Sequence, residues 1–172
     1  QQYSTDNQMD VIRDYAANIW NVPVASLPVH ADSAAWIATI GANTGLHMDF
    51  GSGLWDGGKI GIPYDSVPEL QPTVAVDFAT LGWADESDPG PYPIPANPLR
   101  EWGSDHHVLI VDSETCTLYE IYDASFAGGQ WYGGAGAIWD LNSHALRPDG
   151  WTSADAAGLP ILPGLVRYDE VA

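Results

Sequence analysis

The stretch from Asp105 to Ala124 reads D-H-H-V-L-I-V-D-S-E-T-C-T-L-Y-E-I-Y-D-A. It contains two short runs rich in β-branched and aromatic residues, Val108–Val111 and Cys116–Tyr122, which the polar residues Asp112–Thr115 separate. This pattern is typical of a β-hairpin. We therefore predict that two central strands of the fold lie here.

The register of this hairpin decides which polar groups meet. A pairing of Val111 with Cys116 across the four-residue connection would place His107 opposite Glu120. Because side chains alternate along a strand, His107 and Glu120 would then share one sheet face, and a slip of one residue would separate them. Neither face is plainly polar, so we expect the hairpin to be covered on both sides or to carry a half-buried site.

Composition and charge exclude several classes of protein. The chain has 172 residues, enough for one domain over 1–172 with a sizeable core. Its net charge of −18, from 5 basic and 23 acidic residues, repels phosphate backbones, so we expect no nucleic-acid partner. Eight Trp and eight Tyr indicate a packed globular domain. No apolar run approaches the ~18–20 residues that a membrane span requires.

Two helices are predicted near the start of the chain. Apolar residues between Met9 and Trp20 have helical spacing after the capping candidates Ser4, Thr5 and Asp6. A second, shorter helix is predicted from Asp32 to about Ile40 and should end at Gly41. We expect the apolar residues of this second helix, Trp36, Ile37 and Ile40, to cover a sheet.

The rest of the chain is divided into short segments by Gly and Pro. Further strands are predicted at Ile60–Pro63, Thr73–Phe78 and Ala137–Leu141. The proline-rich segment Asp85–Pro98 is predicted to be an ordered loop, and Trp131 and Tyr132 are placed in a flexible aromatic loop between glycines. The fold class predicted is mostly β, an antiparallel β-sandwich or barrel-like domain with one or two N-terminal helices.

Seven strings of this sequence stand out, and they lie at Ser26–His30, Leu46–Gly51, Gly61–Tyr64, Ala84–Pro95, His107–Asp112, Leu118–Asp123 and Ala145–Ile161. They resemble strings in a group of secreted bacterial proteins of uncharacterised function. The resemblance implies an extracellular, β-rich domain but no activity, and the first helix is where this chain departs most from the group. The similar proteins continue past the position of Ala172, so the resemblance also implies a C-terminal part carried by a longer precursor or a second chain. The Gln1-Gln2 start suits a mature secreted protein after signal cleavage.

One constellation of residues suggests a metal site. His47 and Asp49 would point the same way on an extended segment, and His107 with a carboxylate such as Glu120 could complete the ligand set. Such ligands suit one divalent transition metal. The alternative is that His107 is a core histidine bonded to Glu120 and that His47 caps a turn.

A second constellation combines carboxylates with aromatic residues. A pair drawn from Asp49, Asp56, Glu120 and Asp123 could act on a glycosidic bond, since a half-buried Glu has the raised pKa that a general acid needs. Catalytic candidates are therefore Glu120, Asp49 and His107. Aromatic side chains could stack on sugar rings; the candidates are Trp55, Trp102, Trp131 and Tyr132.

Three functions follow from these patterns. The leading hypothesis is a secreted domain that binds or cleaves extracellular polysaccharide through an aromatic- and carboxylate-lined face around His107 and Glu120. The alternatives are a metal-dependent hydrolytic or oxidative enzyme with His47, Asp49 and His107 as ligands, and a non-catalytic structural subunit that associates with a second chain or forms an oligomer. Arg147, beside Asp149, is interpreted as part of a structural ion pair.

Overall fold

The computed structural model describes Trp20, residues 22–45 and residues 51–166. The predicted first helix, apart from Trp20, lies outside these described residues. The same is true of His47 and Asp49. No helix among the described residues is long and apolar enough to cross a membrane.

Short strands dominate the described part of the chain, as predicted. It contains one α-helix, α1 (Ser33–Ile40), and two 3₁₀ turns, Ala84–Glu86 and Leu162–Gly164. The strands are β1 (Leu54–Trp55), β2 (Gly58–Lys59), β3 (Tyr64–Val67), β4 (Val76–Asp77), β5 (Val108–Asp112), β6 (Thr117–Tyr122), β7 (Ser125–Ala127), β8 (Gln130–Tyr132) and β9 (Ala135–Asp140).

The predicted hairpin forms the centre of a four-stranded sheet. Its order is β3-β5-β6-β9, with β5 antiparallel to β6 and β6 antiparallel to β9. Strand β3 pairs with β5 in parallel. A second sheet has the order β4-β8-β7, and β1 and β2 form a separate two-stranded hairpin. The described residues thus form a sandwich-like β fold without a closed barrel, although two of the strand pairs, β3 with β5 and β4 with β8, are parallel.

The predicted register of the central hairpin is wrong by two residues. Val111 pairs with Leu118, and Glu120 therefore faces Leu109 instead of His107. The shift arises because the connection ends at Cys116, which has a left-handed φ of 54° and lies in the turn, not in the strand. The carboxylate of Asp112 accepts the N–H groups of the next residues of this turn, Glu114 and Thr115. A shift by two residues leaves each side chain on the sheet face where it was predicted, because side chains alternate between the faces with a period of two.

Both faces of the central sheet are buried. The face that carries Val108, Ile110 and Ile121 packs against a cluster that includes Val76 and Phe78 from the second sheet region. The opposite face carries Val111 and Leu118 and packs with Trp139, Leu141 and Leu162. All five residues of β5 are buried, as expected for a central strand.

Three expectations about other segments are corrected. The strand predicted at Ile60–Pro63 begins instead at Tyr64, because Gly61 has a φ of 104° and Pro63 has no N–H to donate. Trp131 and Tyr132 lie on β8 and not in a flexible loop. Helix α1 ends at Gly41 as predicted, but none of its residues is buried, so it does not cover a sheet.

The proline-rich segment is an ordered loop, as predicted. Tyr92 is fully buried and Ile94 nearly so. Tyr92 exchanges backbone hydrogen bonds with Val74, and its hydroxyl donates to the carbonyl oxygen of Asp88 at 2.7 Å. These contacts fix the loop against the core shared by the two larger sheets.

Candidate functional site

A cavity of about 590 Å³ lies beside the central hairpin. Its walls come from Trp83 near the first 3₁₀ turn, from the ends of β5 and β6, and from residues 152–156 and 161–165. The volume is in the range of small-molecule binding sites. The residues that decide its chemistry are Trp20, Trp83, Tyr122, Asp105, Asp155 and His107.

Three of these lining side chains are aromatic. The rings of Trp83 and Tyr122 are 6.5 Å apart and tilted by 50°. The backbone N–H of Trp83 donates to the carbonyl of Gly134 at 2.8 Å, which holds the start of the 3₁₀ turn against the sheet. Trp20 is half exposed, and its Nε1 donates to the carbonyl of Pro160 at 2.8 Å. These hydrogen bonds hold Trp83 and Trp20 in place, while part of each aromatic surface faces the cavity.

The polar lining is dominated by acceptors. Asp105 is exposed and accepts the hydroxyl of Ser104 at 3.1 Å, and Asp155 is partly exposed. Among the described residues, none of those that line the cavity is Lys or Arg. The hydroxyl of Ser153 contacts two carbonyl oxygens, those of Asp155 and Leu159, at 2.8 and 2.7 Å. Ser153 thus serves to hold its own loop and is not oriented as a nucleophile.

His107 lies in the cavity wall with both ring nitrogens engaged. Nδ1 lies 2.5 Å from Oε2 of Glu101, and Nε2 lies 3.1 Å from the carbonyl oxygen of Ala154. Both partners are hydrogen-bond acceptors. The ring is nearly buried and packs 5.6 Å from the ring of Tyr122. In this arrangement His107 positions the 153–155 loop and has no free nitrogen for a metal or a substrate.

Glu120 is fully buried on the same sheet face. Its carboxylate accepts the N–H groups of Ile161 and Leu162 at about 3 Å and the indole Nε1–H of Trp139 at 3.1 Å. Burial raises the pKa of Glu120 to about 7, although these three donors and the nearby His107 act in the opposite direction. Glu120 therefore ties the C-terminal segment to the sheet from a position that no polymer can reach.

The remaining residues predicted from the sequence do not meet at this cavity. Trp55 is 65% exposed on β1, and Trp131 lines a different cavity. Tyr132 lies beside Trp131 on β8 and is half-buried. His47 and Asp49 lie outside the described residues. Among the residues that are described, no group of three or more His, Cys, Asp or Glu side chains could hold a metal ion.

Sequence reasoning missed most of the residues that form the cavity. Trp83, Thr152 and Asp155 have no spacing that links them to the hairpin. Asp105 lies in the central stretch, and Asp155 lies in the longest of the resembling strings. These two positions could have marked both residues as site candidates.

The arrangement combines flat apolar surfaces with hydrogen-bond acceptors around one concave space. Indole and phenol rings can stack on the apolar faces of a ligand, and carboxylates accept hydrogen bonds from its hydroxyl groups. Comparison with known proteins finds no family model, no curated protein and no solved structure that matches this chain.

Proposed function

We propose that this chain is a secreted domain that binds extracellular polysaccharide in the cavity beside the central hairpin. The observation that carries the proposal is that one cavity of about 590 Å³ is lined by two aromatic and two acidic side chains, those of Trp83, Tyr122, Asp105 and Asp155. Sugar rings present an apolar face and a rim of hydroxyl groups. The aromatic rings of the cavity can stack on the apolar face of a sugar, and the carboxylates can accept hydrogen bonds from its hydroxyl groups.

The charge of the protein limits the kind of glycan. A net charge of −18 repels densely anionic polymers, and the part of the cavity lining that the structure describes offers no Lys or Arg to pair with an acidic sugar. The ligand we propose is therefore a polysaccharide without a high negative charge density.

Binding fits the geometry better than cleavage does. Glycoside hydrolysis needs a general acid and a second carboxylate on either side of the scissile bond. Glu120 is fully buried and fully hydrogen-bonded, and His107 has both nitrogens engaged. Neither of these candidates can transfer a proton to a bound sugar from its present position.

The proposal is tested by measuring retention on a panel of neutral insoluble polysaccharides and by affinity electrophoresis in soluble ones. Trp83→Ala and Asp155→Asn should each weaken binding about tenfold, since each removes roughly 1.4 kcal/mol of contact with the ligand. Reducing ends should not accumulate during incubation.

Trp55→Ala is the matched control, because Trp55 is an exposed tryptophan that does not line the cavity. It should bind like the parent protein. Loss of binding in Trp55→Ala with none in Trp83→Ala would move the site to the β1–β2 hairpin. Retention on no polysaccharide in the panel would overturn the proposed function.

A further inference from the structure

A second cavity, of about 580 Å³, lies between the proline-rich loop and the β7–β8 hairpin. Within the described ranges it shares no lining residue with the first cavity. We propose that it is a separate binding site for a ligand that has an apolar body and one carboxylate group. The residues that carry the argument are Ile94, Pro95, Pro98, Arg100, Phe126 and Trp131.

The apolar part of the site is an aromatic pair. Phe126 and Trp131 stand directly opposite each other in the β7–β8 ladder, with ring centroids 5.2 Å apart and planes tilted by 50°. Trp131 packs against the core, whereas Phe126 is 60% exposed at the cavity. An exposed aromatic side chain beside a cavity offers a surface that an apolar ligand would bury.

The opposite wall is held in place before any ligand arrives. Ile94 is anchored in the core, and the φ angles of Pro95 and Pro98 are restricted by their rings. Beyond them the N–H of Leu99 donates to the carboxylate of Asp65 at 2.7 Å. A preformed wall lowers the entropic cost of binding.

The polar part of the site is Arg100, one of only five basic residues in the chain. Its Nη1 donates to the carbonyl of Ala124 at 3.1 Å, and no carboxylate among the described residues forms an ion pair with it. The two acidic residues next to these positions are engaged elsewhere, Glu101 with His107 and Asp123 with His106. Arg100 thus retains guanidinium N–H groups for a further acceptor.

None of the described residues that line this cavity is acidic, in a chain that has 23 acidic residues. A carboxylate is the group that matches an unpaired guanidinium, because two parallel N–H···O bonds form at once. The net charge of −18 repels a bound carboxylate only weakly. At physiological ionic strength, exposed acidic residues more than about 8 Å from the site are largely screened by salt.

The test compares 3-phenylpropionate with its uncharged amide by titration calorimetry and ligand-observed NMR on the full chain. The acid should bind with a Kd on the order of millimolar, as expected for so small a ligand, and the amide about tenfold more weakly. Arg100→Gln should abolish this preference, and Phe126→Ala should weaken both ligands. Lys59→Gln removes an exposed cation of β2 outside the cavity and should change neither affinity.

Equal binding of acid and amide would overturn the proposal, as would binding of the acid that survives Arg100→Gln. Absence of binding by either probe would also overturn it. Each variant is checked by thermal unfolding, and Phe126→Ala provides a second, uncharged disruption of the same cavity. None of these outcomes depends on polysaccharide binding in the first cavity, so the two proposals fail separately.

Discussion

The imidazole Nδ1 of His107 lies 2.5 Å from the carboxylate Oε2 of Glu101. The same carboxylate oxygen also accepts the backbone N–H of His107 at 3.3 Å, so Glu101 holds both the ring and the main chain of the residue that precedes β5. On its other side His107 reaches the carbonyl of Ala154 in the wall of the first cavity. This one side chain therefore links the segment before the central hairpin to the loop at 153–155.

Replacement of His107 should destabilise the fold. In His107→Asn the shorter side chain cannot span from Glu101 to Ala154, and the partly buried carboxylate of Glu101 loses its partner. We expect the free energy of unfolding to fall by about 3 kcal/mol. Urea denaturation followed by circular dichroism measures this change.

The matched control is His106→Asn. His106 pairs with Asp123 at 3.2 Å, but both side chains are more than a third exposed, and Asn tolerates the left-handed φ of 51° at this position. The free energy of unfolding should fall by no more than about 1 kcal/mol in this variant. Equal losses in the two variants would contradict the structural role assigned to His107.

Glu120 should make stability depend on pH between about 4.5 and 7. A carboxyl group whose pKa is raised on folding binds its proton more tightly in the folded state, so its contribution is fully present below pH 4.5. It is lost as the pH rises through about 7. At 1.36 kcal/mol per pKa unit the loss is about 3 kcal/mol.

The measurement is the difference in unfolding free energy between the parent protein and Glu120→Gln across this pH range. Glutamine has a similar shape and does not titrate, so the advantage of the parent protein should shrink as the pH rises. A difference that stays constant from pH 4.5 to 8 would refute the raised pKa.

Arg147→Lys should be costly although the charge is kept. The guanidinium pairs with Asp88 at 2.6 Å and donates to the carbonyls of Glu86 and Thr152 at 2.5 and 2.8 Å. Its structural role was predicted, but its partner is Asp88 and not the adjacent Asp149. A lysine cannot reproduce this planar fork, so we expect a loss of about 2–3 kcal/mol in urea denaturation.

Arg100→Lys is the matched control for Arg147→Lys, because Arg100 is exposed and forms a single hydrogen bond. Its effect on stability should be about 0.5 kcal/mol or less. A similar loss in both variants would show that the ion pair and carbonyl contacts of Arg147 contribute little.

Gly136→Ala should disrupt the core between the two larger sheets. A Cβ at this position of β9 would overlap the ring of Phe78 and the hydroxyl of Tyr92, both of which are buried. We expect the free energy of unfolding, measured by thermal denaturation, to fall by at least about 2 kcal/mol. Gly45→Ala is the control, since a Cβ there would meet no described atom within 4 Å, and this variant should leave the midpoint of thermal unfolding nearly unchanged.

Local patterns were sufficient to predict several parts of this fold. Two runs of β-branched and aromatic residues separated by polar ones located the strands of the central hairpin. The residues that share each face were predicted correctly because side-chain alternation is a property of the strand itself. Gly41 was correctly predicted to end helix α1. The proline-rich segment was correctly predicted to be an ordered loop, and the burial of Tyr92 and Ile94 holds it against the core.

The tertiary structure alone decided the register and the composition of the candidate site. The two-residue shift of the hairpin depends on the left-handed backbone at Cys116, which no hydrophobic pattern records. The contact of His107 with Glu101 in place of Glu120 follows from that register and from the path of a separate loop. The first cavity joins Trp83 to residues 152–156, about 70 positions away. The sequence by itself determined the two strands of the central hairpin and the end of helix α1, because these depend on neighbours in the chain. Only long-range packing decided which side chains meet.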